Sequence, residues 1–325
     1  MGSKYRLVPH LHSIFSSLDF DTALDAFSGS GVVAYTLKQM GKQVVANDFL
    51  RFAATIGVAT VVNSRVTLSA SDLEGILAPS ADNRDFISTT FKGLYFDRAD
   101  LAFLDSAWSH IEGLPRLKQA LAISALCLAA ARKQPRGVFT VTSLRYDDGR
   151  RSMRMSLEEL FLEAADDYNR VVFDNGFHCE SVCGDVFALP SDGLDLVYLD
   201  PPYAPPKDDN CYIKRYHFLE GLSCYWRGQT ILQDTLTKKL EKRYTPFSYK
   251  STIVGALNQL FDKFRDSTIV LSYSSNSIPG AEDLVQMLRQ FKRSVEVHRI
   301  PHRYSFGTHK RALRREVEEL VLVGR

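Results

Sequence analysis

Short apolar runs alternate with amphipathic stretches along most of the chain. Apolar runs predict strands at 22–27, 42–46, 177–182, 194–199, 268–273, 295–300 and 317–323. Apolar residues at helical spacing predict helices near the N-terminus and at 32–40, 69–77, 97–131 (as a pair), 160–172, 253–264 and 284–291. Strands that alternate with helices predict an open, mostly parallel α/β sheet of Rossmann type.

The stretch Asp200-Pro201-Pro202-Tyr203 follows the most apolar of these predicted strands. Two prolines cannot continue a hydrogen-bonded ladder, so the strand must end there, and ligands bind at that end of open α/β sheets. Asp200 and the rigid Pro201 carbonyl can accept the two N–H bonds of an exocyclic amine. Tyr203 can stack under the ring that carries the amine, at about 1–3 kcal/mol per base. The alternative is a plain strand-to-loop turn in which Asp200 caps and Tyr203 packs.

A glycine turn, Phe27-Ser28-Gly29-Ser30-Gly31, connects the first predicted strand to a predicted helix. Glycines let a ligand approach the backbone, and a helix N-terminus offers free N–H groups. The spacing does not fit G-x-G-x-x-G, so a carboxylate-bearing cofactor is favoured over a pyrophosphate.

Acidic residues end two further predicted strands. Asp48 follows the glycine turn by about twenty residues, the position from which an acid accepts ribose hydroxyls, although it could instead cap a helix. Asp185, in Cys183-Gly184-Asp185-Val186-Phe187, could bind the exocyclic amine of a cofactor's adenine, with Val186 or Phe187 against the ring. Together these features indicate a nucleoside-type cofactor.

Basic and aromatic residues cluster in three segments. The segment 132–154 interleaves cations with aromatics and hydroxyls, which suits phosphate positioning and base-edge contact, but also suits a solvated loop. The segment 211–218 is predicted to be a flap over the substrate cleft, with simple helix packing as the alternative, and 301–311 is predicted to be an exposed hairpin loop. The predicted DNA-contacting residues are Arg132, Lys133, Arg136, Arg145, Tyr146, Arg150, Arg151, Lys214, Arg215, Tyr216, Arg303, His309 and Lys310.

Composition bounds these interpretations. The 325 residues carry a net charge of +2, so any nucleic-acid surface must come from local clustering of cations. The five cysteines show no C-x-x-C pair or zinc spacing, which predicts reduced thiols and no metal site. No apolar run approaches the roughly 18 residues of a membrane span, and no signal peptide opens the chain, so a cytoplasmic protein of a bacterium or phage is expected.

The order of these motifs resembles that of the Dam-like adenine-N6 DNA methyltransferases, the D12 or α-type class. Gly2-Ser3-Lys4-Tyr5 looks like that family's N-terminal motif, and Phe27 to Gly31, Gly184-Asp185 and Asp200 to Tyr203 follow in the family's order. Ser272-Tyr273-Ser274-Ser275-Asn276 is similar to the strand after the catalytic one. The stretch Tyr304-Ser305-Phe306-Gly307 is similar to the late motif.

The resemblance implies a Rossmann-like methyltransferase that uses S-adenosylmethionine and flips its target adenine out of duplex DNA. It implies catalytic roles for Asp200, Pro201, Pro202 and Tyr203. By the same resemblance Asp48 would hold the ribose, Asp185 the adenine amine, and Lys4 with Tyr5 the carboxylate side. The full set expected to contact the cofactor is Lys4, Tyr5, Asp25, Phe27, Ser28, Gly29, Gly31, Asp48, Phe49, Asp185, Val186 and Asp200.

The predicted organisation is a catalytic domain at 1–60 and 166–325, with an inserted, mainly helical target-recognition region at 61–165. We expect a monomer that acts on double-stranded DNA, either as a restriction–modification methylase with a cognate endonuclease or as an independent modification methylase. The alternatives are an RNA adenine-N6 or other amine methyltransferase, and a catalytically silent binding module on the same fold.

Overall fold

The computed structural model describes residues 4–140, 149–203, 211–305 and 314–325, with only the backbone at 136, 302–305 and 314–317. Within these residues the chain forms two compact units. One comprises Leu50–Asn175 and Tyr212–Lys242, and the other comprises Ser3–Phe49, Gly176–Cys211 and Arg243–Arg325. The units thus begin and end at different residues from the predicted domains, and the first contains a second segment from the later part of the chain.

The helices and strands, in chain order, have the following bounds. The helices are α1 Val8–Ser16, α2 Val32–Gln39, α3 Arg51–Gly57, α4 Ala70–Leu77, α5 Phe86–Thr90, α6 Arg98–Ile111, α7 Arg116–Arg132, α8 Leu157–Arg170, α9 Tyr212–Leu222, α10 Lys250–Lys263 and α11 Ala281–Arg289. The strands are β1 Thr22–Asp25, β2 Gln43–Asp48, β3 Glu180–Cys183, β4 Leu196–Leu199, β5 Thr268–Ser274, β6 Val295–Ser305 and β7 Arg314–Gly324.

The unit with the sheet, which we call the sheet unit, has the strand order β3-β2-β1-β4-β5-β7-β6. Strands β1 to β5 are parallel to one another, and β7 runs antiparallel to both β5 and β6. Strand β4 is buried at every position, as expected for a central strand covered on both faces. The prediction of a mixed α/β, Rossmann-like methyltransferase fold is confirmed.

The other unit is helical, and α7 lies at its centre. Residues 120–127 of α7 are buried without a break, as expected of a helix that is apolar on all sides. An aromatic cluster packs in the same unit, where the rings of Phe139 and Phe218 stack with their centroids 4.8 Å apart. Trp226 contacts Phe91 and Phe218 in that cluster. Aromatic packing of this kind stabilises a unit that has no sheet of its own.

Two predictions for the late basic segments need correction. Residues 211–218 do not form a flap, because they belong to α9, which is buried from Tyr216 to Leu222 within the helical unit. The predicted hairpin is present, but β6 and β7 remain paired as far as Ser305 and Arg314. Residues 306–313 of the predicted loop lie outside the described part of the chain.

Candidate active site

The order of strands in the sheet reverses between β1 and β4, the position where open α/β sheets bind ligands. Asp25 pairs in register with Tyr198, and the N–H of Ala26 donates to the carbonyl of Tyr198 at 3.0 Å. The glycine turn and Asp200-Pro201-Pro202-Tyr203 therefore leave the sheet side by side. Two motifs that are far apart in the sequence share one edge of the fold.

Hydrogen bonds from the ends of β1 and β2 hold the glycine turn. Gly29 and Gly31 adopt the left-handed region, with φ of 50° and 75°, which glycine reaches without strain. The N–H of Gly29 donates to Oδ2 of Asp48 at 2.8 Å. Oδ2 of Asp25 accepts the N–H of Ala34, in the first turn of α2, at 3.0 Å. The predicted acids thus fix the shape of the turn as well as lying beside it.

Two buried polar atoms beside the glycine turn fit a polar ligand. Among the residues that the structure describes, Oγ of Ser28 and Oδ1 of Asn47 are buried without a hydrogen-bond partner. Buried polar groups are normally paired, so these atoms suit a ligand that brings hydroxyl or amine donors and acceptors. A nucleoside with an amino-acid tail has such groups, and the turn therefore fits S-adenosylmethionine.

An aromatic group lies in the same unit, next to the glycine turn. The rings of Phe187 and Phe247 stack at 5.6 Å with an angle of 4° between them. Phe27 meets Phe247 edge to face at 5.2 Å. Asp185 is exposed and begins the short turn that carries Phe187, whose N–H it accepts at 3.1 Å. These flat surfaces are suited to an adenine ring, and Asp185 is free in orientation to face solvent or a ligand amine.

At the end of β4 the catalytic motif joins a buried ionic cluster. Nζ of Lys4 lies 2.9 Å from Oδ1 of Asp200 and 2.5 Å from Oε1 of Glu319, and it also donates to the hydroxyl of Tyr203. The Tyr203 hydroxyl is 2.8 Å from both Oδ1 of Asp200 and Oε1 of Glu319. Oγ of Ser272 donates to the same oxygen of Glu319 at 2.7 Å. One ammonium is therefore shared by two carboxylates.

Protonation in this cluster follows from burial and the shared ammonium. Burial lowers the pKa of Lys4, but the Asp200 and Glu319 carboxylates outweigh it and the net shift is upward. Burial, only partly offset by Lys4, raises the pKa of Asp200. Burial also acts to raise the pKa of Glu319, but the Lys4 ammonium and three hydrogen bonds outweigh it, and the pKa lies below its ordinary value. Glu319 therefore keeps its charge more firmly than Asp200.

Two further titratable groups face the cluster from the sheet. Burial, together with the Asp200 carboxylate, raises the pKa of Asp25 to about 8. Burial also raises the pKa of Tyr198 well above its ordinary value. At neutral pH Asp25 is thus mostly protonated and Tyr198 is neutral. Asp25 and Tyr198 therefore add no full negative charge of their own to the cluster.

The predicted cofactor residues have the following positions in the sheet unit. The glycine turn, Asp25, Asp48 and Phe49 lie at the ends of β1 and β2, and Val186 is buried beside Asp185. Lys4, expected on the carboxylate side of the cofactor, pairs with Asp200, another residue of the predicted set, and with Glu319. Tyr5 is 74% exposed.

The predicted DNA-contacting residues have several different environments. Arg150, Arg151 and Arg215 are exposed, and Arg132 and Lys214 are partly exposed. Lys133 is buried, with Nζ 2.5 Å from Oδ2 of Asp100, and Tyr216 is buried against Phe52. Placement in the core of the helical unit removes both from the surface that DNA can reach. The side chains of Arg136 and Arg303, and all of Arg145, Tyr146, His309 and Lys310, lie outside the described residues.

Three residues of the site were absent from the set predicted from the sequence. Glu319 belongs to an apolar strand, and an acidic side chain at an inward position of such a strand was the available signal. Ser272 belongs to a stretch that was noted for its resemblance alone. Phe247 follows Pro246 in a short turn that has no helix or strand pattern, so no signal in the sequence distinguishes it.

The doubly wound sheet thus carries the glycine turn and Asp200-Pro201-Pro202-Tyr203 together at its switch point. The chain belongs to the family of D12 class N6 adenine-specific DNA methyltransferases, whose model matches residues 1–287. Its function is accordingly that of a DNA adenine methyltransferase.

Individual proteins are similar over almost the whole chain. The type II methyltransferase M2.HphI of Haemophilus parahaemolyticus is 30% identical over 94% of this chain and 91% of its own length. The type II methyltransferase M.FokI of Planomicrobium okeanokoites is 24% identical over 95% of this chain. The modification methylase StsI of Streptococcus sanguinis is 26% identical over 93% of it. This chain spans only about half the length of the last two, 50% and 48%.

The described residues contain no group of three or more His, Cys, Asp or Glu side chains placed to hold a metal ion. In the same part of the chain, no helix combines the length and apolar character needed to cross a membrane.

Proposed function

We propose that this chain transfers the methyl group of S-adenosylmethionine to N6 of an adenine flipped out of a short duplex DNA site. The observation that carries the proposal is the position of Asp200 and Tyr203. Both follow β4 at the switch point of the sheet, and their side chains are joined by a hydrogen bond of 2.8 Å. A carboxylate beside a stacking ring is what binding of a planar amine requires.

Asp200 and the Pro201 carbonyl act by holding the two hydrogens of N6. The lone pair of an adenine amine is delocalised into the ring, which makes N6 a poor nucleophile. Two acceptors favour a pyramidal nitrogen whose lone pair is directed at the methyl group. Alignment of this kind can contribute about 7–11 kcal/mol to lowering the barrier. Tyr203 supports the flipped base, and Pro202 keeps the motif rigid.

The bound cofactor would supply an electrophilic methyl group, and the ends of β1, β2 and β3 would hold it. Gly29 and Gly31 allow the amino-acid part to approach the backbone. Asp48 would accept a ribose hydroxyl at the end of β2. Asp185 would accept the adenine amine, with the ring against the aromatic group of Phe27, Phe187 and Phe247. The cysteines take no part, because methyl transfer to nitrogen needs no covalent intermediate on the protein.

The exposed arginines of the helical unit are the proposed phosphate contacts. Arg132, Arg150 and Arg151 line an open groove of about 590 Å³ together with Arg170. Acidic residues of α8 also line it, and Arg132 and Arg151 pair with Asp167 and Glu163 at 2.8 and 2.7 Å. These pairs are partly exposed, so a phosphate can exchange for a carboxylate at small cost. Lys214 and Arg215 are further proposed contacts, and neither Lys133 nor Tyr216 is included.

The names of the relatives support a place in restriction–modification. Two of them are type II methyltransferases and one is a modification methylase. We propose that this chain modifies the recognition site of a cognate endonuclease, and that it does so as a monomer in the cytosol, where the DNA is. No observation favours RNA over DNA as the substrate.

The test is methylation of defined nucleic acids. The protein is incubated with tritiated S-adenosylmethionine and unmethylated bacterial genomic DNA, and the modified bases are mapped by single-molecule sequencing. We expect N6-methyladenine at one short motif. Label in structured RNA but not in DNA would support the RNA alternative. No label in either, with no binding of the cofactor in a calorimetric titration, would support a silent binding module.

A further inference from the structure

Glu319 is a fully buried carboxylate on β7, immediately before an apolar run. Its exposed fraction is 0%, and Leu320, Val321, Leu322 and Val323 follow it in the core. A buried charge is costly unless it is paired and hydrogen-bonded. An apolar residue at this position would fill the core without that cost, so the carboxylate needs an explanation from its contacts.

The Glu319 carboxylate contacts two side chains that also contact Asp200. A single oxygen, Oε1, accepts from Lys4 at 2.5 Å, from Ser272 at 2.7 Å and from Tyr203 at 2.8 Å. Lys4 and Tyr203 are also the two groups that contact Oδ1 of Asp200. Lys4 and Tyr203 thus connect Glu319 to Asp200. Glu319 fixes where the ammonium lies and where the phenol hydroxyl points.

The second carboxylate also changes the charge of the site. Lys4 neutralises one of the two carboxylates, which leaves one negative charge near the proposed position of N6. During methyl transfer the S–CH₃ bond breaks with its electron pair left on sulfur, while the N6 lone pair forms the new C–N bond. Positive charge moves from sulfur to N6, and one N6 proton then passes to Asp200 and to solvent. A fixed negative charge close to N6 lowers the energy of that transition state.

We propose that Glu319 is a positioning residue for methyl transfer, which orients Asp200 and Tyr203 through Lys4 and keeps the site negatively charged. The inference rests on the roles proposed above for Asp200 and S-adenosylmethionine. The groups that face Asp200 and Glu319 are Lys4, Asp25, Tyr198 and Tyr203. Ser272 keeps Glu319 itself in place.

Substitution at Glu319 and at its neighbour separates this role from a structural one. Glu319→Gln keeps the shape and removes the charge, and Glu319→Asp keeps the charge but shortens the reach by one methylene. Glu318→Gln is the matched control, because Glu318 is partly exposed and pairs with Arg299 at 2.9 Å. Single-turnover methyl transfer is measured at saturating cofactor and DNA between pH 5.5 and 9, with cofactor binding measured by calorimetry.

We expect the Glu319→Gln rate to fall at least tenfold, with the dissociation constant of the cofactor changed less than twofold. The rate of the Glu319→Asp variant should lie between those of Glu319→Gln and wild type. The rate of Glu318→Gln should equal that of wild type. Because Glu319 is one of the groups that raise the pKa of Asp200, the acidic limb of the Glu319→Gln rate profile should move to lower pH. A merely structural residue would not move that limb.

A wild-type rate and an unmoved acidic limb in folded Glu319→Gln would overturn the inference. If Glu319→Gln does not fold, the Glu319→Asp variant serves as the test. A wild-type rate for Glu319→Asp would then overturn the inference. Failure of the proposed function is recognised separately, because wild-type protein would then give no methylated DNA or would not bind the cofactor.

Discussion

The ammonium of Lys4 lies 2.9 Å from Oδ1 of Asp200, with 8% and 18% of the two side chains exposed. The pair joins the N-terminal turn before α1 to the end of the central strand β4. Removal of one member of a buried ion pair leaves an uncompensated charge, at a cost of about 3–5 kcal/mol. The integrity of the active site therefore depends on a residue at the start of the chain.

Lys4→Met should reduce the free energy of unfolding by about 3–5 kcal/mol at pH 8. Without the ammonium, the pKa values of Asp200 and Glu319 in the folded state rise above their unfolded values. The folded state then binds more protons than the unfolded chain, so stability falls as pH rises. Urea unfolding should show a smaller loss at pH 5 than at pH 8. Equal losses of stability at pH 5 and pH 8 would contradict this prediction. Lys42→Met is the control, because Lys42 is a partly exposed lysine of the same unit.

Asp200→Asn should lower the single-turnover rate of methyl transfer at least 100-fold, or about 2.7 kcal/mol of transition-state stabilisation. The amide keeps the shape but is a weaker acceptor for N6 and carries no charge. Stability should not fall, because Glu319 remains to pair with Lys4. The measurement is rapid-quench transfer of tritiated methyl, with thermal unfolding in parallel. Turnover close to wild type by the folded variant would remove Asp200 from the catalytic role.

Gly29→Ala should weaken cofactor binding at least tenfold in calorimetry, whereas Gly41→Ala should leave it unchanged. Both glycines have positive φ, 50° and 72°, so both substitutions incur a similar strain of about 1–2 kcal/mol. An added Cβ has no close neighbour at Gly41, and at Gly29 meets only the Phe27 carbonyl at 3.9 Å. The difference between the two variants therefore reports the ligand. Equal affinities would argue against a cofactor at this turn.

The sequence predicted the sheet and the motifs at its edge, because these depend on local patterns. Seven consecutive residues suffice to predict strand β4 and the prolines that end it. Five consecutive residues suffice to predict the glycine turn. Glu319 and Lys4 were not linked to Asp200, since their pairing depends on β7 lying beside β5, a contact between distant segments. Lys133 was assigned to DNA on charge alone, but Asp100 on another helix draws it into the core.

Arg151→Ala should weaken binding to duplex DNA and lower the slope of log affinity against log salt by about one. Arg151 is 75% exposed and its ion pair with Glu163 is open to solvent, so a phosphate can replace the carboxylate at small cost. Lys133→Met, by contrast, should leave the salt slope unchanged and lower stability, because Asp100 also accepts the N–H of Leu157 and loses its cation. Fluorescence anisotropy at several salt concentrations measures the slopes. An unchanged slope for Arg151→Ala would exclude it as a phosphate contact.

Asp25→Asn should stabilise the protein at pH 8 relative to wild type, with a difference that shrinks as pH falls. Burial and the nearby Asp200 carboxylate raise the pKa of Asp25 to about 8 in the folded state, against 3.8 ordinarily. A raised carboxyl pKa means that the folded state holds a proton that the unfolded chain has released. The stabilisation that comes from binding this proton is complete below about pH 4. It is lost as pH rises toward 8, at up to about 1.4 kcal/mol per pH unit. Asparagine carries no charge at any pH and can still accept the Ala34 N–H, so the variant lacks this loss. Urea unfolding of both proteins between pH 5 and 8.5 gives the difference directly, and a difference that stays constant across that range would show that Asp25 is ionised in the folded protein.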